Sequence, residues 1–263
     1  CNPDGIEIAD QICQLCGNEL HIDANDIVVA STGVIGQPLY IEPFETHMNQ
    51  LVQSLSANGS TDACEGIMTT DTLKKEYAVE FELDGKTCHI GAIAKGSGMI
   101  HPNMATMLAF VTSDVAISKD MLNEVIHEVV DDTFNMVSVD GDTSTNDMLT
   151  LMCNGLAQNN EITQKDENYQ CFKEALMYIC TCLSQAIAKD GEGATKLLTC
   201  SVLHAKTKKD AKIVAKSVIT SSLLKAAMFG EDANWGRILC AIGYSDADYD
   251  IQKIDVDFKS TKG

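Results

Sequence analysis

The sequence predicts an α/β (α+β) protein with strands and helices in layers, and three observations predict it. Tyr77, Val79, Phe81 and Leu83 alternate with polar residues, the two-residue period of a strand. Phe172, Ala175, Leu176, Ile179, Leu183 and Ile187 recur at the helical period across residues 167–189. Around these two segments strand-like and helix-like runs alternate irregularly, with no internal repeat and no low-complexity linker, as a mixed architecture requires.

Taken in chain order, residues 3–16 read as an amphipathic helix that carries Ile6, Ile8 and Ile12. Ile27 to Ser31 predicts a short strand ending in the turn STGVIG, Ser31 to Gly36. Glu42 to Leu55 predicts an amphipathic helix, with Pro43 suited to its first turn. The run from Tyr77 to Leu83, the pair Asp84-Gly85 and the run from Thr87 to Ala94 predict a β-hairpin. Met107 to Thr112 predicts another strand. Ser118 is placed to cap a helix carrying Leu122, Val125, Ile126, Val129 and Val130. A polar loop, Asp140 to Asp147, lies between two apolar runs, and the long helix over 167–189 ends at Gly191 to Ala194. A strand over Leu197 to Leu203, a helix over 209–228, a turn-rich Phe229 to Arg237 and a strand-like Ile251 to Phe258 complete the expectation.

The 263 residues suffice for one large domain or two small ones. A net charge of −19 repels a phosphate backbone and argues against nucleic acid as a partner. No apolar run approaches the ~20 residues that span a bilayer, so a membrane role is not expected. The chain opens on Cys1 without Met or a charged-then-apolar leader, so a cytoplasmic protein is expected, and the chain reads as a fragment of a longer protein, shortened at both ends, or as a processed product. The eleven cysteines are an odd number scattered through helix-like and strand-like runs, and read as reduced thiols. Cys13 and Cys16 form a CxxC without a second pair, so core packing is favoured over zinc. The six histidines show no ligand spacing. Asp140, Asp142, Ser144 and Asn146 alternate like a calcium loop but lack its Gly and Glu (Thr145 and Leu151 stand there), so no metal is expected. Arg237 is the one arginine among the cationic residues, and spacing alone gives it no role.

The richest segment is KGSGMIHPNMATMLAF, Lys95 to Phe110. A Gly-rich loop leads to the small Ala105 and then Thr106. At such a step the threonine hydroxyl can attack its own preceding carbonyl and shift the peptide to an ester, which water opens. The freed α-amine, with an unperturbed pKa near ~8, then serves as general base for the hydroxyl beside it. Spacing alone favours a buried threonine opening a strand. In STGVIG, the Gly33 amide and Thr32 hydroxyl can hold an oxyanion, although a plain turn is the commoner use of such residues. Lys95 fits neither a dinucleotide fingerprint nor a P-loop; it is either a solvated strand end or a carboxylate binder. Glu192, between Gly191 and Gly193, is either an exposed helix-end carboxylate or an anion that recognises a substrate amine.

VVASTGVIG (Val28 to Gly36), GIMTTD (Gly66 to Asp71), AKGSGMIHPNMATMLAF (Ala94 to Phe110), FNMVSVDGDTSTND (Phe134 to Asp147) and FGEDANWGRILCAIGY (Phe229 to Tyr244) together resemble the ornithine acetyltransferases, also called glutamate N-acetyltransferases, of arginine biosynthesis. The resemblance implies a layered α/β sandwich. It implies self-cleavage between Ala105 and Thr106, giving an α-chain part over 1–105 and a β-chain part over 106–263 in one interwoven unit, assembled as α2β2. Thr106 would be the nucleophile, Thr32 and Gly33 the oxyanion hole, and Thr69, Lys95, Thr106 and Glu192 the substrate contacts. N-acetylornithine and glutamate would be the substrates, with no cofactor and with acetyl-CoA as a further candidate donor. Met136 stands where the family pattern leads one to expect a basic residue. A hydrolase using the same nucleophile, or an uncut chain that only binds partners, are the competing expectations.

Overall fold

The structure is a computed structural model that describes residues 3–101 and 107–260. Its centre is a four-stranded sheet in the order β1-β2-β3-β4, made of β1 (Lys75–Leu83), β2 (Lys86–Lys95), β3 (Leu108–Ser113) and β4 (Met148–Cys153). The first two pairs are antiparallel and β3–β4 is parallel. The Asp84-Gly85 hairpin forms as expected. Both residues have positive φ, +52° and +70°, the backbone that a tight two-residue turn between twisted strands needs.

Register sets the inner face. Tyr77, Ala92, Val111 and Leu151 form one row across the sheet, and Lys75, Ala94, Ala109 and Leu149 form the next. The long helix α5 (Glu167–Lys189) packs across β1 and β2, with Asp166 capping its first turn by accepting from the Tyr169 N–H at 3.0 Å. Phe172 meets Phe81 with ring centroids 6.3 Å apart. Phe172, Leu176, Ile179, Leu183 and Ile187 are fully buried, at about 1.5–3 kcal/mol of transfer free energy each. Helix α4 (Lys119–Asp132), capped by Ser118, packs on α5. The start of α5 lies near Phe81 and its end near Lys75, so α5 runs against β1 and brings Asp190, the residue after the helix, to the start of that strand.

The N-terminal helix α1 (Gly5–Leu20) pairs with α2 (Glu42–Gln53). Helix α3 (Ser60–Ile67), which the periodicity does not announce, lies against β1 and β2. A second core joins α6 (Lys208–Thr220), α7 (Ser222–Phe229) and α8 (Trp235–Gly243) around Val214, Val218, Leu224, Ala241 and Ile242.

Five expectations are corrected. Ile27 to Ser31 is not a strand: among the described residues it joins no ladder, because the sheet ends at β1 and β4. Leu197 to Leu203 likewise has no ladder partner and leaves Leu203 exposed. The helix over 209–228 is two helices, since Ser221 leaves the helical backbone and caps α7 by accepting from the Leu224 N–H at 3.2 Å. The turn-rich Phe229 to Arg237 is partly helical, because Asn234 starts α8 by accepting from the Arg237 N–H at 3.1 Å. Ile251 to Phe258 begins with a 3-10 turn, Ile251–Lys253, and forms no strand.

Candidate functional site

The site residues named from the sequence fall into two clusters. The first is built on the loop after α3. Thr69 accepts a hydrogen bond from Lys95 Nζ at 3.1 Å, across 26 residues of sequence. Lys95 is not the solvated strand end that its position allowed: it is 4% exposed, and burial lowers its pKa, with Asp71 opposing that shift and Lys75 adding to it. An ammonium has three donors, so beyond its bond to the Thr69 hydroxyl this one has capacity for an anion. Thr70 Oγ1 lies 2.5 Å from Ser97 Oγ and donates to Glu192 Oε1 at 2.8 Å. The Glu192 N–H donates to the Ser97 carbonyl at 2.7 Å. A Cβ at Gly98 would lie 2.6 Å from Glu192 Oε1, so a side chain here would displace that carboxylate.

Beneath this cluster lies a buried charge group of which only Asp71 belongs to a motif quoted above. Lys75, 1% exposed, donates to Asp71 Oδ1 and to Asp190 Oδ2, both at 2.6 Å. Asp71 also accepts from the Gly96 N–H at 2.7 Å and the Thr69 N–H at 3.2 Å. Asp190 accepts from the Thr72 N–H at 3.0 Å, the Leu73 N–H at 3.3 Å and the Thr72 hydroxyl. Burial pushes both carboxyls up, but these donors outweigh it and hold both pKa values below the ordinary range. Asp190 also sits at the negative end of α5, where a carboxylate is unfavourable without a cation such as Lys75.

The second cluster joins the STGVIG turn to the polar loop. Asn146 Nδ2 donates to the Ser31 carbonyl at 3.0 Å, immediately before Thr32 and Gly33. A Cβ at Gly33 would meet nothing within 4 Å, so its surroundings are open. Asp147, the next loop residue, accepts from the Met107 N–H at 2.9 Å through Oδ1, while its Oδ2 is buried and without a partner among the described residues. Burial raises the Asp147 carboxyl to about 7, with only the Met107 N–H opposing the rise. The loop is thus hydrogen-bonded, as its composition suggested. Asp140 accepts from the N–H groups of Ile100 and Asp142 at 2.9 and 3.0 Å. His101 Nδ1 lies 3.0 Å from Ser138 Oγ, and its pKa is lowered by burial and by the nearby Lys216 and Lys225. Ala105 and Thr106, the proposed cut and nucleophile, lie outside the described residues.

A cleft of about 570 Å³ opens beside the first cluster, between the end of α5 and residues 193–200, with Ser138, Val139, Ser184, Glu192 and Lys225 on its walls. Thr32, Gly33, Thr69 and Lys95 do not line it. Met136 does, from a 3-10 turn. Arg237 acts locally, since its guanidinium donates to the Leu223 carbonyl at 2.7 Å and ties α8 to α7. Cys13 and Cys16 are half-buried free thiols on α1, and no group of three or more metal-ligating side chains occurs among the described residues. No helix among them is long and apolar enough to cross a membrane.

Fold and clusters together define a mixed α/β protein in which a buried lysine, Lys95, and the Glu192 carboxylate share one polar cluster. Comparison with known proteins gives the family. The ArgJ family model matches residues 1–262. The arginine biosynthesis bifunctional protein ArgJ 1 of Clostridium acetobutylicum is 51% identical over 257 residues, which is 98% of this chain and 63% of that protein. The glutamate N-acetyltransferase of Methanocaldococcus jannaschii is 46% identical over 256 residues, 96% of this chain and 63% of that protein. The crystal structure of the arginine biosynthesis bifunctional protein argJ from Bacillus halodurans matches with a TM-score of 0.52 and 45% identity, covering 54% of this chain and 66% of that one. The chain belongs to the ArgJ family, the family its motifs resemble. It spans slightly less than two thirds of the length of the curated relatives it matches.

Proposed function

We propose that this chain is part of an acyltransferase of arginine biosynthesis that moves an acetyl group from N-acetylornithine to glutamate. The observation that carries the proposal is Lys95: a buried ammonium on Thr69, in the same cluster as the Glu192 carboxylate, inside a chain of the ArgJ family. Both substrates are amino acids with an α-carboxylate, so one cation can hold each in turn, while Glu192 suits an amine.

In this reading the chain first cuts itself between Ala105 and Thr106. The Thr106 Oγ then attacks the acetyl carbonyl and its α-amine takes the hydroxyl proton. Thr32 and Gly33 hold the oxyanion as the tetrahedral intermediate forms. The C–N bond breaks, the proton passes to the departing ornithine amine, and an acetyl ester remains on Thr106. The amine of glutamate attacks that ester, forms N-acetylglutamate, and returns the hydroxyl and its proton to Thr106. Nucleophile and base both sit on Thr106, so the chemistry calls on no cofactor. Two features support the arrangement. Asn146 fastens the turn that carries Thr32 and Gly33, and its neighbour Asp147 fastens Met107, the residue after the nucleophile. After the cut the two parts stay joined through the β2–β3 ladder, and pairs of such units would assemble in the cytoplasm as α2β2.

The test uses the full-length protein with N-acetylornithine and glutamate. N-acetylglutamate should form, mass spectrometry should find a new N-terminus at Thr106, and Thr106→Ala should abolish both. Full activity in Thr106→Ala overturns the reading; acetate release without need of glutamate replaces it with a hydrolase.

A further inference from the structure

We infer that Asp71, Lys75 and Asp190 form a positioning unit that sets the spacing of Thr69, Lys95 and Glu192, an inference that rests on the acetyl-transfer reading above. A buried ion group of this kind is a poor source of stability, because desolvating the charges costs about as much as their attraction returns. Its connections point to another role. Lys75 and its two carboxylates join three separate chain segments: the loop at Thr69–Leu73, the end of β2 at Gly96, and the end of α5. Each anchor stands within two residues of one substrate group. Thr69 lies two residues before Asp71, Lys95 one before Gly96, and Glu192 two after Asp190. Neither the sheet nor the helix alone fixes those three groups relative to one another.

The unit is also matched in charge. Lys75 and Lys95 offset Asp71 and Asp190, all four at low exposure or partly buried. The charged groups around Lys95 are Asp71 from the loop, which raises its pKa, and Lys75 from β1, which lowers it. Asp190 and Glu192, from the segment after α5, lie beyond these, against Lys75 and Thr70. Removing the Asp190 charge leaves Lys75 less neutralised, so Lys95 should lose its proton at lower pH.

The test is steady-state kinetics of Asp190→Asn in the full-length enzyme. Loss of a charge-assisted contact of this type corresponds to about a tenfold rise in KM for both N-acetylornithine and glutamate, with kcat within about threefold. The alkaline limb of kcat/KM should also move to lower pH, which a purely structural defect would not do. Thr72→Val, at an exposed position, removes one hydroxyl partner of Asp190 and should raise KM about twofold to threefold; it decides the matter if Asp190→Asn is insoluble. Unchanged KM and an unmoved limb in the soluble variant overturn the inference while wild-type activity leaves the acetyl-transfer reading standing. A wild-type enzyme that makes no N-acetylglutamate sinks that reading, and this inference with it.

Discussion

Asp147→Asn is expected to stabilise the protein above neutral pH. Asp147 presents one oxygen to the Met107 N–H and buries the other without a partner among the described residues. Its carboxyl is raised from 3.8 to about 7 by burial. A raised carboxyl pKa means the folded state holds the proton more tightly than the unfolded state. Stability is therefore greatest below about pH 4, falls as the pH rises towards 7, and is level above that. At about 1.36 kcal/mol per pH unit the full interval is worth about 4 kcal/mol, and partial solvent contact of the side chain reduces this to about 1–2 kcal/mol. Asn keeps the acceptor for Met107, carries no charge, and offers its NH₂ where Oδ2 now lies bare. For a chain of this size the gain corresponds to a rise in Tm of about 2–6 °C at pH 8. The assay is thermal unfolding of both proteins from pH 4 to pH 8, followed by circular dichroism. The two should coincide near pH 4 and diverge between pH 5 and pH 8. A difference that does not change with pH, or an Asn variant that is less stable at pH 8, refutes the reasoning.

Gly98→Ala places a Cβ 2.6 Å from Glu192 Oε1. The carboxylate must leave Thr70, and loss of that charged hydrogen bond should reduce kcat/KM about tenfold, with circular dichroism unchanged. Glu128 accepts from Lys165 at 2.8 Å and from Lys173, and these bonds lower its carboxyl to about 2. A lowered carboxyl stabilises the fold above about pH 4.5 and loses that contribution as the pH falls towards 2. Glu128→Gln should lower Tm at pH 7 by an amount worth under about 1 kcal/mol, since the group is largely solvated, and should match wild type near pH 2. A constant offset at both pH values would count against the ion pair as the cause.

The elements that were legible from the sequence are those whose own residues decide them. The hairpin at Asp84-Gly85 needs only local backbone geometry, and the stripe of α5 needs only its own period. The segments at Ile27 and Leu197 have apolar composition suited to strands, but a strand requires a neighbouring ladder, and none is in reach among the described residues. Ser221 and Asn234 act as helix caps inside apolar or turn-rich runs, so their effect depends on side-chain direction rather than composition. Among the candidate site residues, Lys95 and Glu192 stood out from their Gly-rich loops and Thr69 came from the resemblance, and Lys95 and Thr69 touch. The pairing of Lys75 with Asp190 spans 115 residues and leaves no local pattern. The one available signal was a lysine opening an alternating strand on its inner face, where an apolar residue belongs. Asp147 was visible only as the last member of a polar loop; the burial of its Oδ2 depends on the fold around it.

The position of the β2–β3 connection has a consequence for how the molecule must be handled. Any break of the chain between Lys95 and Leu108 falls within an antiparallel pair that runs from Ile90↔Ser113 to Lys95↔Leu108. One sheet then contains strands of two polypeptides, and the core beneath it is shared between them. Unfolding of the cut molecule releases two chains, so its midpoint should rise with protein concentration, whereas that of the uncut chain should not. Refolding likewise becomes a meeting of two molecules. An uncut chain, by contrast, folds as one molecule, with β2 and β3 already tethered to each other.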